Sequence, residues 1–130
     1  MKKLNPYLIF DGNCREAMNF YKECLNGEIN KMQTYSESPI QMPDEASERI
    51  FDSEIQAEDV SIKASDNMPN ATTEVGKNFS LFIAFSDGEE MKTVFGKLAD
   101  GGDITFPLDE NFGMLTDKFG IQWMLAGGQN

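Results

Sequence analysis

Twice along this chain apolar residues fall on one helical stripe, and each time a short apolar run precedes the stripe. In NCREAMNFYKECLNG (Asn13 to Gly27) the positions Ala17, Phe20, Tyr21, Cys24 and Leu25 recur at the spacing of one helix face. Asn13 followed by Glu16 matches a capping box, and Gly27 matches a stop. Starting 74 positions later, DGEEMKTVFGKLADG (Asp87 to Gly101) repeats the arrangement: Asp87 with Glu90, then Met91, Val94, Phe95, Leu98 and Ala99, then Gly101. The spacing predicts two amphipathic helices with both ends marked.

The repeat extends backwards, because YLIFDG (Tyr7 to Gly12) and LFIAFS (Leu81 to Ser86) are short apolar runs suited to strands. After the first helix, EINKMQTY (Glu28 to Tyr35), RIFDSEIQA (Arg49 to Ala57) and VSIKAS (Val60 to Ser65) read as strands. After the second, DITFPL (Asp103 to Leu108), FGMLTD (Phe112 to Asp117) and IQWMLA (Ile121 to Ala126) supply three more. The simplest reading is an α+β fold of two tandem βαβββ modules, residues 5–65 and 78–126, in one domain over residues 1–130. Two unrelated helices that look alike by chance are the alternative, and the shared cap and stop positions argue against it. The acidic segment SESPIQMPDEASE between Tyr35 and Arg49 holds two prolines and reads as a loop.

Composition narrows the chemistry. Asp and Glu number 22 against 11 Lys and Arg, a formal charge of -11, and such a field repels phosphate backbones and anionic lipid surfaces. Nucleic acid and membrane are therefore not expected as partners. No apolar run is long enough to span a bilayer, and MKKLNPYLIF lacks the apolar stretch and cleavage site of a signal peptide, so a cytoplasmic protein is expected. The chain has no histidine, which removes Ser-His-Asp, Cys-His and imidazole-metal arrangements. Cys14 and Cys24 lie roughly 15 Å apart on one predicted helix and cannot pair with each other.

The segments NPYLIFDGNCREAMNFYKECLNGEI, GKNFSLFIAF and FGMLTDKFGIQWML resemble the PhnB-like branch of the vicinal oxygen chelate superfamily, which also contains glyoxalase I, bleomycin-resistance proteins and extradiol dioxygenases. The most specific pieces are Pro6-Tyr7-Leu8 with Gly12-Asn13-Cys14 and Phe20-Tyr21, then Leu115-Thr116-Asp117 with Phe119-Gly120 and Trp123. The resemblance implies curved mixed sheets around a cavity, the glyoxalase-like fold, usually within a homodimer. In the superfamily's metal enzymes the first and last strand of each module each supply a ligand, typically His, Glu or Gln. The matching positions here are Pro6 and Lys63, then Ser80 and Met124. None is an ordinary hard-metal ligand, so no metal and no cofactor are expected. The hairpin PLDENF (Pro107 to Phe112) is also shorter than in many members of the branch.

Strict alternation puts Leu8, Phe10, Phe82, Ala84, Gln122 and Met124 on the cavity side with Pro6 and Ser80, and turns Tyr7, Ile9, Leu81, Ile83, Phe85 and Trp123 towards the helices. The candidates for lining a ligand cavity are Leu8, Phe10, Phe51, Lys63, Ser80, Phe82, Phe112 and Met124. The apolar ones suit an apolar ligand or a filled core equally. Lys63, if it points inward, needs an anion or carboxylate partner; otherwise its amine reaches solvent. Carboxylates such as Glu54 and Asp52 on the third strand could bind a cation weakly, and their ordinary role is solvated charge on a half-buried strand. Cys14, at a helix start but without a base or redox partner, reads as a buried apolar residue.

Three functions compete. One is a metal-independent protein that holds a small organic ligand, without assigned catalytic residues. The second is a metal-dependent lyase, isomerase or dioxygenase using unrecognised carboxylates, and the third is a dimeric scaffold with a side-chain-filled cavity. The names given to the branch, after phosphonate breakdown or a ubiquinone methyltransferase, are not evidence for either chemistry. A methyltransferase would need a doubly wound sheet that this pattern does not provide.

Overall fold

A computed structural model describes residues 1–128 and divides the chain into two units, one ending at Glu74 and one beginning at Val75. The first unit runs β1 (Tyr7–Phe10), α1 (Cys14–Leu25), β2 (Glu28–Thr34), β3 (Ile50–Ala57) and β4 (Val60–Asp66), with short 3-10 turns at Tyr35–Glu37 and Asp44–Ala46. The second runs β5 (Leu81–Ala84), α2 (Gly88–Ala99), β6 (Asp103–Phe106), β7 (Phe112–Thr116) and β8 (Gln122–Ala126). Each unit is a βαβββ module, with strand orders β1-β4-β3-β2 and β5-β8-β7-β6. The helix crosses over between a parallel pair, β1 with β4 and β5 with β8, and the other neighbours are antiparallel. Among the described residues no helix is long and apolar enough to cross a membrane.

The periodic stripes became the helix faces that pack on the sheets, except that Phe20, Leu25 and Ala99 stay partly exposed. Cys14, Ala17, Met18, Tyr21 and Cys24 are the buried residues of α1, and Met91, Val94, Phe95 and Leu98 those of α2. Burying each large apolar side chain stabilises the fold by about 1.5–3 kcal/mol. Beneath α1 lie Leu8, Phe10, Ile62, Ala64, Ser53 and Ile55. Register carries the assignment: Leu8 pairs with Ala64, Ala64 with Ser53, and the Ser53 Oγ lies 3.6 Å from the Cys14 Sγ. Beneath α2 lie Leu115, Trp123 and Leu125, all at or below 1% exposure.

Two local expectations are corrected. Asn13 stands at the start of α1 but makes no capping hydrogen bond. The cap comes from the end of β4, where the Asp66 Oδ1 accepts the N–H groups of Gly12 at 2.8 Å and Cys14 at 2.9 Å. Asp87 does cap α2, accepting from Glu89 and Glu90. At the other end of α1 the left-handed residue is Asn26, at φ 54. Gly27 follows it where a Cβ would sit 2.9 Å from the Gln56 carbonyl oxygen.

The second correction concerns the strand faces. Alternation holds in both modules, but its phase in β1 is opposite to the expected one: Leu8 and Phe10 are buried under α1, while Tyr7 and Ile9 lie on the open face. In β5 the expected phase is right, with Phe82 on the open face. The physical reason is one extra residue in the first strand-helix turn. Three residues separate the inward Phe10 from α1, and two separate the inward Phe85 from α2. Gly12, at φ 93, accommodates the longer turn.

Candidate functional site

The open face of the first sheet carries a charged row. By register it runs Tyr7 (β1), Lys63 (β4), Glu54 (β3) and Lys31 (β2). Asp52 joins it from one step along β3, accepting from the Tyr7 hydroxyl at 3.0 Å and from the Lys31 Nζ at 2.9 Å. The Lys63 Nζ lies 3.9 Å from the Asp52 Oδ1 and 3.5 Å from the Glu54 Oε2, and the Asn30 amide donates to Glu54 at 3.3 Å. Two carboxylates and two ammonium groups therefore balance.

Local electrostatics follow from this arrangement. Burial pushes the Asp52 carboxyl up, but hydrogen bonds from Lys31 and Tyr7 and the charge of Lys63 override it and hold the group below its ordinary value. Burial raises the Tyr7 phenol against an opposing hydrogen bond with Ser65, reinforced by the hydrogen bond to Asp52 and by its charge, so Tyr7 stays protonated and donates. Behind the sheet, burial pushes the Cys14 thiol up to about 12 against an opposing hydrogen bond from Ser53. Cys14 is a packing residue rather than a nucleophile.

The open face of the second sheet carries an apolar row at the corresponding place. It runs Phe82 (β5), Met124 (β8), Met114 (β7) and Phe106 (β6). Phe82 is 57% exposed and Phe106 47%. The Phe106 and Phe112 rings meet edge to face with centroids 5.6 Å apart, in the geometry aromatic pairs prefer. A groove of about 730 Å³ lies elsewhere in this unit, between α2 and the Pro107 to Glu110 turn, with Met91, Phe95, Ile104 and Leu108 among its walls.

The eight candidates from the sequence thus separate. The structure pairs Phe82 with Met124, sets the Phe112 ring against Phe106, places Ser80 just before β5, and sets Lys63 on the open face of the other unit. Leu8 and Phe10 are core residues under α1. Phe51 packs against Tyr35, with ring centroids 5.5 Å apart. Sequence reasoning missed the partners Tyr7, Lys31, Phe106 and Met114 as site residues. Their signal is cross-strand pairing, which needs the register of four strands. None of the eight lines the groove.

A divalent ion does not fit the matched positions. Pro6 offers only its carbonyl, which already accepts the Lys63 N–H at 3.1 Å, and Lys63 brings a positive charge. Met124 brings a thioether in an apolar row, a soft donor unsuited to a hard cation. Among the described residues no group of three or more Cys, Asp or Glu side chains converges as a metal site.

Comparison with known proteins gives a consistent picture. Residues 2–126 match the family described as 3-demethylubiquinone-9 3-methyltransferase. The chain is 33% identical to Protein YjdN of Escherichia coli (strain K12), over 94% of this chain and 92% of that one. The crystal structure of protein PA1353 from Pseudomonas aeruginosa is similar over the full length of both chains, with a TM-score of 0.90 and 33% identity. A putative 3-demethylubiquinone-9 3-methyltransferase, PhnB protein, from Bacillus cereus is similar over 98% of this chain and 100% of that one, with a TM-score of 0.80 and 29% identity.

Proposed function

We propose that this chain, which belongs to the 3-demethylubiquinone-9 3-methyltransferase family in the PhnB-like branch of the vicinal oxygen chelate superfamily, is a metal-independent protein that binds a small apolar organic molecule. The observation that carries the reading is the row Phe82, Met124, Met114 and Phe106. Aromatic rings and polarisable thioethers adapt to flat or irregular apolar ligands. A sheet face that leaves Phe82 and Phe106 about half exposed has apolar surface to cover. The inherited positions do not retain metal-ligating residues, since Lys63 and Met124 stand at two of them.

The test is equilibrium binding of propylbenzene in the presence of EDTA. The expected result is saturable binding that EDTA leaves unchanged and that the double variant Phe82→Ser/Met124→Ser weakens by about tenfold, the loss of roughly one buried side chain's worth of apolar contact. Equal affinity in the variant would reject the apolar row as the binding face.

The exposed apolar residues also favour a second reading, in which the chain works as a homodimer and a second copy covers part of this surface. Light scattering at micromolar concentration tests it, and a mass of 14.6 kDa would reject a stable dimer. A cytoplasmic site of action fits the acidic composition and the two cysteines, which are buried and form no disulfide.

A further inference from the structure

We infer that the groove between α2 and the Pro107 to Glu110 turn is a separate binding site, one that takes a small organic amine with an apolar body and a cationic head. It lies on the helix side of the second sheet, away from the row of Phe82 and Met124, and does not depend on that row binding anything.

An uncovered apolar wall is the first support. Ile104 of β6 pairs with Leu115 of β7 and so shares its helix-side face. Leu115 lies 1% exposed beneath α2, whereas Ile104 is 55% exposed. The helix therefore leaves the edge strand bare on the side where its neighbour is buried. The space that results has a volume of about 730 Å³, with Met91, Phe95 and Leu108 among its other walls. Sites for small molecules typically span about 300–1,000 Å³.

Gly96 is the second support. It stands within α2 and lines the groove, at a helical position where glycine is disfavoured relative to alanine. A Cβ built on it would meet nothing within 4 Å, so no described neighbour requires the missing side chain. Gly88, in the same i, i+4 row with Lys92 between, is equally open. Bare backbone at both ends of this row leaves room for an outside group against the helix.

The groove has a polar end and an apolar end. A Cβ on Gly127 would sit 2.8 Å from the Met91 Cε and 3.1 Å from the Glu110 carbonyl oxygen. One on Gly113 would sit 2.8 Å from the Phe95 Cε2 and 2.9 Å from the Leu108 Cδ1. Glu110 therefore lies beside the first turn of α2, where Glu89 also stands, and Leu108 lies one turn further on, next to Gly96. A head at one end and a tail at the other match this order.

Charge decides the class of head. Glu89, Asp109 and Glu110 line the groove against one cation, Lys92. The Asp109 Oδ1 already accepts the Asn111 and Phe112 N–H groups at 2.8 and 2.9 Å, but Glu89 and Glu110 form no ion pair among the described residues. The helix start offers no vacancy for an anion in their place, because the Glu89 and Glu90 N–H groups go to the Asp87 Oδ1 at 2.9 and 3.4 Å. An anionic head would face three carboxylates; an ammonium offsets them.

The experiment compares octylamine, octanol and octanoate, which share a tail and differ in the charge of the head. Affinity for the full chain is measured by equilibrium dialysis, and backbone amide NMR signals are followed in each titration. The expected result is that octylamine binds about fivefold tighter than octanol, the scale of one exposed ion pair, that octanoate binds more weakly than octanol, and that octylamine shifts the Gly96 and Glu110 amides. Glu89→Gln/Glu110→Gln should erase the preference for the amine. Gly96→Leu should weaken octylamine by about tenfold without lowering the thermal midpoint, since leucine suits a helix better than glycine. Phe82→Ser/Met124→Ser should keep the order of the three molecules, so failure of the apolar row and failure of the groove give different patterns. Equal binding of octylamine and octanol would overturn the inference. So would a preference that survives Glu89→Gln/Glu110→Gln or is lost in Phe82→Ser/Met124→Ser, and so would full octylamine affinity in Gly96→Leu.

Discussion

The Asp66 carboxylate at the end of β4 accepts the backbone N–H of Cys14 at 2.9 Å and so caps a helix that begins 52 residues earlier in the chain. The same carboxylate accepts from Gly12 at 2.8 Å and, through Oδ2, from Ile50 at 2.9 Å. One buried side chain, 2% exposed, joins the β1-α1 turn, the start of β3 and the end of β4. Asp66→Ala leaves three donors without their acceptor and should cost about 3 kcal/mol. Asn13→Ala should cost less than about 0.5 kcal/mol, well short of a true N-cap loss. Denaturant midpoints of the two variants check the contrast, and a larger loss for Asn13→Ala would restore the local cap.

Gly12 permits the turn that sets the phase of β1. A Cβ there would lie 3.2 Å from the Arg49 Nη2, on a backbone at φ 93. The Arg49 guanidinium also donates to Asp11 at 3.2 Å and to the Asn67 carbonyl at 2.9 Å, so it has little room to retreat. Gly12→Ala should therefore destabilise by about 1–3 kcal/mol, read from thermal or denaturant unfolding. A neutral substitution would mean that the turn is looser than its contacts imply.

The charged row predicts an acid dependence. The folded Asp52 carboxyl is held below its ordinary value, so its contribution is present above about pH 4, the unfolded range of a carboxylate, and is lost as pH falls through the folded value. Because the group is partly exposed, Asp52→Asn should cost only about 1 kcal/mol near neutral pH. The variant's stability should fall less steeply than the parent's below about pH 4. Parallel curves would remove Asp52 from the account.

The two thiols should be silent in the folded protein. Burial drives Cys14 up to about 12, and both cysteines are buried. A thiol reagent at about pH 8 should modify neither in the native state and both after denaturation. Since the folded Cys14 value is raised, its contribution to stability is present below about pH 8.5 and fades as pH climbs towards the folded value. Rapid native labelling of Cys14 would contradict its packing under β3.

Much of the fold was legible because it rests on period and punctuation. Both helices begin and end within a residue of the stripes that predicted them, and every strand lies where an apolar run or alternation put it. The inward face of β1 was not legible, because alternation gives a period without a sign. One residue in the Asp11-Gly12-Asn13 turn reverses that sign relative to β5. The true cap of α1 was hidden for a related reason: Asn13 has the right residue type, but the acceptor that reaches the helix comes from Asp66 through tertiary structure. Of the candidate site, Phe82 and Met124 could be read from their strand phase. Tyr7, Lys31 and Asp52 emerge as one network only when the registers of β1, β2, β3 and β4 are combined.

On the proposed function, the apolar face binds an organic ligand without a metal. The most direct measurement is native mass spectrometry of the purified protein with propylbenzene, paired with elemental analysis after desalting and repeated in EDTA. The account predicts well under one equivalent of zinc, nickel, iron or manganese per chain and a ligand-bound species that persists in EDTA and is depleted in Phe82→Ser/Met124→Ser. Stoichiometric metal that survives desalting, with ligand binding abolished by chelation, would contradict it.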